Sequence, residues 1–275
     1  MYPELLPFLQ CPTCSSTPLL LVVGREQDDD VIEGGLKCDR CQHVTAIRDG
    51  IADAIGSGPV PLTPAQITNY LPLAAWGYER LWRWKALGLL SGRRFPLVEE
   101  LQQICSLIEP ERGGLLLDVA CSTALYARAF AKVAPGAIVA AVDHSGAMLR
   151  EARRYAQREG LHISFVRASA QALPFCSASA AGYGMGGSLN EIGDIDATLG
   201  EARRVLRRTG RFVSMNLLAA ESAWGRLLQR LLSTGGIEFP QQRSLNHRFT
   251  AAGLDLVSQS RWRVVEISLL LPRYP

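Results

Sequence analysis

Two pairs of cysteines stand near the start of the chain, and each pair encloses two residues. They are Cys11 with Cys14 and Cys38 with Cys41. A two-residue gap lets both sulfurs of a pair reach one tetrahedral ion, and four thiolates complete the coordination shell of Zn²⁺. The spacing therefore predicts a closed structural zinc site that performs no chemistry. A redox-active pair is the alternative, but one such pair would be enough for it and neither pair opens a predicted helix.

The elements around these cysteines are predicted to be short strands. An apolar strand is expected over 19–23, a turn at Gly34 and Gly35, and further strands at 36–37 and 44–47. The acidic run 28–30 is interpreted as a solvated loop. Fifty or so residues bury too little apolar surface to fold well alone, so bound Zn²⁺ would contribute folding free energy.

Residues 8–55 resemble the zinc ribbon that precedes many methyltransferase domains and that also forms the small activator of tRNA methyltransferases. The resemblance includes Arg48-Asp49-Gly50-Ile51-Ala52-Asp53, which is similar to the RDGIPDL tail of such ribbons, with Ala52 in place of the proline. It implies a small N-terminal zinc-ribbon domain over 1–55 whose metal ligands are the four cysteines.

Charge is distributed unevenly along the 275 residues. Residues 1–55 contain nine acidic and four basic side chains and carry −5, whereas 56–275 carry +8. A basic body can attract nucleic acid, but the acidic front argues against a grip on phosphates. A content of 48% hydrophobic and 20% charged residues excludes a disordered chain. No apolar run approaches the ~20 residues of a transmembrane helix and the first ten residues lack a basic signal region, so we expect a cytoplasmic protein without a membrane span.

Residues 56–111 are predicted to form a linker and an aromatic-rich helical lid. The linker begins with the glycines and prolines of 56–61, which disfavour both helix and strand. Aromatic and basic side chains then interleave between Tyr70 and Leu90. Three interpretations stay open for them: a helix packed on the main domain with one aromatic stripe buried, a lid over a small molecule, or a stacking surface for single-stranded nucleic acid.

From residue 112 onwards, strand and helix patterns alternate. Apolar runs predict strands at 115–119, 137–142, 163–167, 181–184 and 212–217. Helices are predicted at 125–133, from the Ser145 cap to Gly160, and over 197–206 after Asp194, with Gly210 as the stop of the last one. This order predicts an α/β domain over 112–275 with a parallel sheet, whose ligands bind beyond the carboxyl ends of the strands. The chain has neither a GxxxxGK[ST] phosphate loop nor the glycines of a dinucleotide fingerprint.

The loop after the first of these strands, Asp118-Val-Ala-Cys-Ser-Thr-Ala124, resembles motif I of the class I S-adenosylmethionine-dependent methyltransferases, D-V-G-C-G-T-G. Five further segments resemble that family in the same order, namely 142–149 (D-x-S-x-x-M-L), 167–175 (R-A-D-A-x-x-L-P-F), 188–191 (L-H-E), 201–213 (E-x-x-R-V-L-R-P-G-G-R-F) and the closing hairpin 252–271. The resemblance implies a Rossmann-like, seven-stranded methyltransferase sheet and S-adenosyl-L-methionine as the cofactor.

The resemblance also implies which residues bind that cofactor. Asp143 would bind the ribose hydroxyls, and Ser169 takes the place of an aspartate that accepts from the adenine amino group. The implied cofactor-binding positions are Asp118, Ala120, Cys121, Ser122, Thr123, Asp143, His144, Met148, Ser169, Ala170 and Gly187.

Motif I of this chain lacks the three glycines of the family pattern. Ala120, Ser122 and Ala124 replace them. Glycine allows a positive φ and a close backbone approach to the cofactor, and a residue with a Cβ would pay about 1 kcal/mol for the same conformation. Ser169 can still accept a hydrogen bond, but as a neutral group it should bind less strongly. These replacements predict either weak cofactor binding or a remodelled pocket.

Candidate catalytic residues follow from the chemistry of methyl transfer. Transfer from a sulfonium is an in-line displacement, to which a protein contributes alignment, a dry pocket and, for some acceptors, a general base. Glu191 is the best candidate base, and Asn190 beside it is implied to face the site. His247 precedes the closing hairpin, where the family's acceptor pocket often forms, although a place on a helix surface is the alternative. Cys121 is expected to pack rather than to act as a nucleophile.

Three functions are compatible with these features. The first is an S-adenosylmethionine-dependent methyltransferase with a small, apolar or aromatic methyl acceptor. The second is an rRNA or tRNA base methyltransferase, favoured by the ribbon and by the basic body. The third is a non-catalytic or repurposed relative with an altered cofactor pocket, favoured by the lost glycines. The sequence names neither the acceptor nor the oligomeric state.

Overall fold

A computed structural model of the protein describes residues 1–56 and 97–274. The aromatic segment between Tyr70 and Leu90, with most of the predicted linker and lid, lies outside the described residues. Within the described parts of the chain, no helix is both long and apolar enough to cross a membrane.

The described residues form eleven strands and six α-helices. The strands are β1 (Leu19–Gln27), β2 (Asp30–Cys38), β3 (Val44–Arg48), β4 (Ile51–Asp53), β5 (Leu115–Val119), β6 (Ile138–Asp143), β7 (Ser164–Arg167), β8 (Ala180–Gly186), β9 (Leu206–Leu217), β10 (Leu254–Trp262) and β11 (Val265–Pro272). The helices are α1 (Leu97–Ile108), α2 (Leu125–Val133), α3 (Gly146–Arg158), α4 (Ile195–Val205), α5 (Ala223–Ser233) and α6 (Gln242–Ala251).

All eleven strands belong to one sheet, in the order β1-β2-β3-β4-β7-β6-β5-β8-β9-β11-β10. The strands from β4 to β9 run parallel to their neighbours, and β10 and β11 close the sheet as an antiparallel hairpin. Strands β5 to β11 confirm the predicted seven-stranded α/β domain. The first four strands extend this sheet, because β4 pairs with β7 and places Ala52 opposite Val166.

The two faces of the sheet carry separate cores. One core joins Leu5 and Leu9 of the N-terminal segment to Phe175 and Phe212 of the main domain. The other lies under α1, α2 and α3 and includes Phe130. The cysteine-bearing segment therefore shares both a sheet and a core with the domain that follows it.

Ion pairs reinforce this junction. Arg153 of α3 pairs with Asp30 of β2, and both side chains are largely buried. Arg167 of β7 donates to Asp53 of β4 at 2.9 Å. The prediction of a solvated loop is therefore wrong for Asp30, because the approach of α3 gives this carboxylate a partner that local sequence does not reveal.

Polar caps fix the starts of two helices as predicted. The hydroxyl of Ser145 accepts from the Met148 N–H, and Asp194 accepts from the Ala197 N–H at 3.0 Å. The predicted helix stop at Gly210 is wrong, because α4 ends at Val205 and the chain enters β9 at once. Residues 178 and 179 donate to the carbonyls of 204 and 205, so strand pairing ends the helix before the glycine.

Candidate cofactor pocket and metal centre

The four cysteines of the N-terminal segment converge on one point. Their Sγ atoms all lie within 4.8 Å of one another. The Sγ atoms of Cys11 and Cys41 are 3.5 Å apart, and those of Cys14 and Cys38 are 3.6 Å apart. A tetrahedral Zn²⁺ with sulfur at about 2.3 Å needs sulfurs about 3.8 Å apart, so the residues present fit this ion. The structure thus brings together the predicted metal ligands.

A second convergence occurs at the carboxyl ends of β5 and β6, where the motif I loop turns into α2. Ala120, Ser122 and Ala124 have φ values of 53°, 50° and 59°. All three residues that replace a family glycine therefore keep the left-handed backbone that glycine favours. The loop is tied to its neighbours, since the Cys121 N–H donates to the carbonyl of residue 142 and the Ser188 hydroxyl donates to the Ala120 carbonyl at 3.0 Å.

Two carboxylates hold this loop from different sides. Asp118, at the end of β5, is buried and accepts from the Ala127 N–H at 2.9 Å, which positions the first turn of α2. Asp143, at the end of β6, accepts from the N–H groups of Ser122 and Ser145, each at 2.8 Å. Its Oδ1 also lies 3.0 Å from His144 Nδ1. The predicted ribose ligand therefore also fixes the loop that would surround the cofactor.

The remaining predicted cofactor positions line the same edge of the sheet. Met148 is buried, and its sulfur accepts from the Ser122 hydroxyl at 3.4 Å. Thr123 is fully buried, and its hydroxyl has no hydrogen-bond partner among the described residues. Burial raises the pKa of the Cys121 thiol well above its ordinary value, which agrees with a packing role.

Ser169 follows β7, and its hydroxyl is engaged by Gln171. The Ser169 hydroxyl donates to the Gln171 side-chain oxygen and accepts from the Gln171 N–H. Gln171 in turn donates to the Ile192 carbonyl at 2.9 Å. Ala170, between them, is buried. The adenine-binding position implied by the resemblance is thus linked to the loop after β8.

The loop after β8 carries the candidate catalytic pair. Gly187 begins it with a φ of 81°, and a Cβ there would lie 3.5 Å from Met215. Asn190 is buried, and its amide spans to the backbone of Leu217 and of Glu238 through three hydrogen bonds. This places Asn190 as an anchor of the loop.

Glu191 is half-buried beside the cofactor edge. Burial raises the pKa of its carboxyl, the charge of Asp143 raises this pKa further, and His144 opposes the shift. A carboxyl with a raised pKa is a better general base near neutral pH than an ordinary glutamate. The structure therefore brings Glu191, Asp143 and His144 into one electrostatic group.

Comparisons with known proteins bear on both sites. Residues 116–210 match the family model described as a methyltransferase domain, and residues 3–50 match the Trm112p-like protein family. The chain therefore joins a methyltransferase-like domain to a Trm112-like segment.

Curated proteins similar to this chain match different parts of it. An uncharacterized chloroplastic methyltransferase of Arabidopsis thaliana is 28% identical over 223 residues, which is 76% of this chain and 61% of the relative. A ubiquinone/menaquinone biosynthesis C-methyltransferase of Paracoccus denitrificans is 37% identical over 108 residues, covering 38% of this chain and 43% of the relative. The chain thus spans at most about 60% of the length of these two proteins.

A solved structure supports the fold of the methyltransferase domain. One chain of the solved complex between the Haloferax volcanii Trm112 methyltransferase activator and a putative methyltransferase matches with a TM-score of 0.58 at 16% identity, covering 78% of this chain and 100% of the matched chain.

The third candidate catalytic residue is His247, on α6. His247 lies on the exposed side of α6, whereas Leu245 and Phe249 face the core. Among the described residues, no hydrogen bond or ion pair joins it to Glu191 or Asp143. A role in catalysis stays a prediction, and the surface position is the alternative that the sequence left open.

A buried polar pair near the pocket was missed by the sequence reasoning. Tyr126 of α2 donates to Glu100 of α1 at 2.6 Å, and both side chains are buried. A Cβ on Gly186, at the carboxyl end of β8, would lie 3.0 Å from the Tyr126 hydroxyl. The signal was available in part, since Glu100 falls on the same helical face as Ile104 and Ile108.

Proposed function

We propose that the protein is an S-adenosylmethionine-dependent methyltransferase whose acceptor is a small apolar or aromatic metabolite. The observation that carries this proposal is the motif I loop, which keeps a glycine-like backbone at all three positions that have lost glycine. Three strained residues kept in this conformation at the carboxyl edge of the sheet support cofactor binding, because a loop that binds no ligand could adopt an unstrained backbone instead.

The bound cofactor would supply an electrophilic methyl group on a sulfonium. In this proposal Asp143 binds the ribose hydroxyls with the lone pairs that Ser122 and Ser145 leave available, since a carboxylate offers about four acceptor sites. Ser169 would accept from the adenine amino group. The backbone of Ala120 and Ser122 would border the methionine moiety.

Glu191 would accept the proton that the methyl acceptor releases. Its raised pKa and its position next to Asp143 support this role. Asn190 would hold the loop of Glu191 in place through its three backbone bonds. Methyl transfer then depends on alignment and exclusion of water, to which this fixed loop contributes.

Zn²⁺ in the four-cysteine site would stabilise the ribbon without entering the reaction. Cys38 ends β2, and five strands lie between β2 and β8 in the sheet. A role in folding fits this placement.

An RNA acceptor is the second candidate. The Trm112-like ribbon and the match to a Trm112 activator complex favour it, as does the +8 charge of residues 56–275. The −5 charge of residues 1–55 opposes it, because a ribbon that contacted RNA would have to approach phosphates.

Calorimetric titration with S-adenosylmethionine and S-adenosylhomocysteine tests the proposal. We expect saturable binding that is weakened at least tenfold in Asp143→Asn, where the carboxylate is lost and the shape is kept. If no binding is seen at about millimolar ligand, the binding free energy is weaker than ~4 kcal/mol. That result would exclude both methyltransferase functions and leave a repurposed pocket. If the cofactor binds, a steep loss of RNA affinity with rising salt would favour the RNA acceptor.

A further inference from the structure

Helix α5 turns its apolar side chains toward solvent. Trp224 is 81% exposed, Leu227 50%, Leu228 44% and Leu231 63%. The spacing of three, four and seven residues places them on one face of the helix. Among the eleven residues of α5, only Gln229 is buried.

Gln229 fastens this helix to the domain on the opposite side. Its side-chain amide donates to the Leu218 carbonyl at 2.9 Å and accepts from the Ala220 N–H at 2.8 Å. An ordinary surface helix buries its apolar stripe and exposes its polar one. Helix α5 instead exposes its apolar stripe to solvent. A contiguous exposed apolar patch of this kind marks an interaction surface for another molecule or a membrane.

The segment that carries α5 leads directly to the loop of Glu191. The Glu238 N–H donates to the Asn190 carbonyl at 2.7 Å, and the Asn190 amide donates to the Glu238 carbonyl at 2.5 Å. Asn190 is thus bonded on both sides of the segment that carries α5, at Leu217 before it and at Glu238 after it.

The charges around the apolar face indicate what covers it. Arg226 and Arg230 are both exposed and lie one turn apart, and α5 contains no acidic residue. Glu221, just before the helix, is paired with Arg261 at 2.9 Å. This surface would repel a second copy of itself and attract an anionic partner.

We propose that α5 docks the protein on an anionic lipid bilayer, with its tryptophan and leucines at the headgroup boundary. A helix with arginines beside a Trp and Leu face is the type that lies in a membrane interface. The inference rests on the proposed function in one respect, since docking there would give the acceptor site access to an apolar substrate dissolved in the membrane.

The test is co-sedimentation with lipid vesicles. Vesicles of phosphatidylcholine with phosphatidylglycerol should bind the protein, and vesicles of phosphatidylcholine alone should bind it much less. Each arginine near an anionic surface contributes about fivefold to binding, so Arg226→Gln with Arg230→Gln should weaken binding by roughly 20-fold. Raising the salt concentration should have the same direction of effect.

A matched pair of variants separates docking from general surface polarity. Leu231→Ser should reduce vesicle binding at least fivefold. Val98→Ser should leave it unchanged, because Val98 is 64% exposed on α1 and so matches the exposure of Leu231 in another place. Both side chains are exposed, so neither change should prevent folding.

Three results would overturn the proposal. They are no binding to anionic vesicles, equal losses in the two serine variants, or a dimer in sedimentation equilibrium that Leu231→Ser converts to a monomer. The vesicle assay is run without S-adenosylmethionine. Docking without cofactor binding would therefore contradict the proposed function alone, and cofactor binding without docking would contradict only this inference.

Discussion

Replacing Ala120 by glycine should stabilise the protein, although this change usually destabilises one. Ala120 has a φ of 53°, for which a residue with a Cβ pays ~1–2 kcal/mol. Part of the stability gained by relieving this strain is lost again, because the greater freedom of glycine in the unfolded chain costs ~0.4–1 kcal/mol. The methyl group is only half-buried, so its loss costs less than the ~0.8 kcal/mol of a fully buried carbon. The net expectation is a gain of about 0.5 kcal/mol.

Two further alanines make this a graded prediction. Ala124 has a φ of 59° but is fully buried, so the lost methyl should cancel the relief and leave stability nearly unchanged. Ala178 has a φ of 54° and is exposed outside the cofactor loop, so Ala178→Gly should gain most, about 1 kcal/mol. Urea unfolding measures all three differences.

Cofactor affinity distinguishes the backbone strain of this loop from its contact with the ligand. Strain is present with and without the cofactor, so its relief alone does not change affinity. Ala120→Gly should nevertheless bind S-adenosylmethionine more tightly, because it removes a methyl group from the loop that borders the ligand. Ala178→Gly should bind as the wild type does. If all three variants lose about 1 kcal/mol, as alanine-to-glycine changes do within helices, the strain argument is refuted.

Three other predictions test the remaining parts of the molecule. Glu191→Gln should lower kcat by about 10²–10⁴ with unchanged cofactor affinity. The wild-type kcat should rise with pH through a pKa above the ordinary glutamate range, and a flat pH profile would argue against Glu191 as the base. Because the raised pKa makes ionisation of Glu191 cost stability as pH rises, the variant should be no less stable than the wild type at neutral pH. The wild type should contain about one zinc ion per chain by elemental analysis, and Cys11→Ser should lower this content and destabilise the whole protein through the shared core. Cys176→Ser should keep the metal. Full zinc in both variants would disprove the site. Arg153→Ala should cost ~2 kcal/mol in urea unfolding, because it removes a largely buried charged hydrogen bond to Asp30 while the Met1 amino group stays paired with that carboxylate. Its neighbour Arg154→Ala, whose side chain is 65% exposed, should cost below ~1 kcal/mol, and equal costs would contradict the assigned junction.

Local signals predicted the elements that position the site. The Ser145 and Asp194 caps, the apolar run of β5 and the bounds of α2 depend on residues next to one another in the sequence, and the structure confirms them. The two cysteine pairs also predicted their cluster from the sequence, because coordination geometry restricts the spacing of metal ligands. The resemblance to motif I predicted strain where glycines are replaced, and the structure shows it at Ala120, Ser122 and Ala124.

Contacts between distant residues could not be predicted in the same way. The pairing of β4 with β7, which joins the ribbon strands to the main sheet, leaves no periodicity in either strand and was not predicted. The bond from Tyr126 to Glu100 depends on how two helices pack, which neither helix encodes alone. For His247 the signal was present, since Leu245 and Phe249 lie four residues apart and define the inner face of α6.

The pairing of β4 with β7 also has a consequence for the order of synthesis. All four cysteines lie within the first 41 residues, so the metal site can close while most of the chain is still unmade. Val166, the partner of Ala52, follows on the order of ten seconds later at ordinary rates of translation. A ribbon held by its metal would then offer the β4 edge to β7 as that strand is made, which would shorten the time for which this sheet edge can pair with other nascent chains.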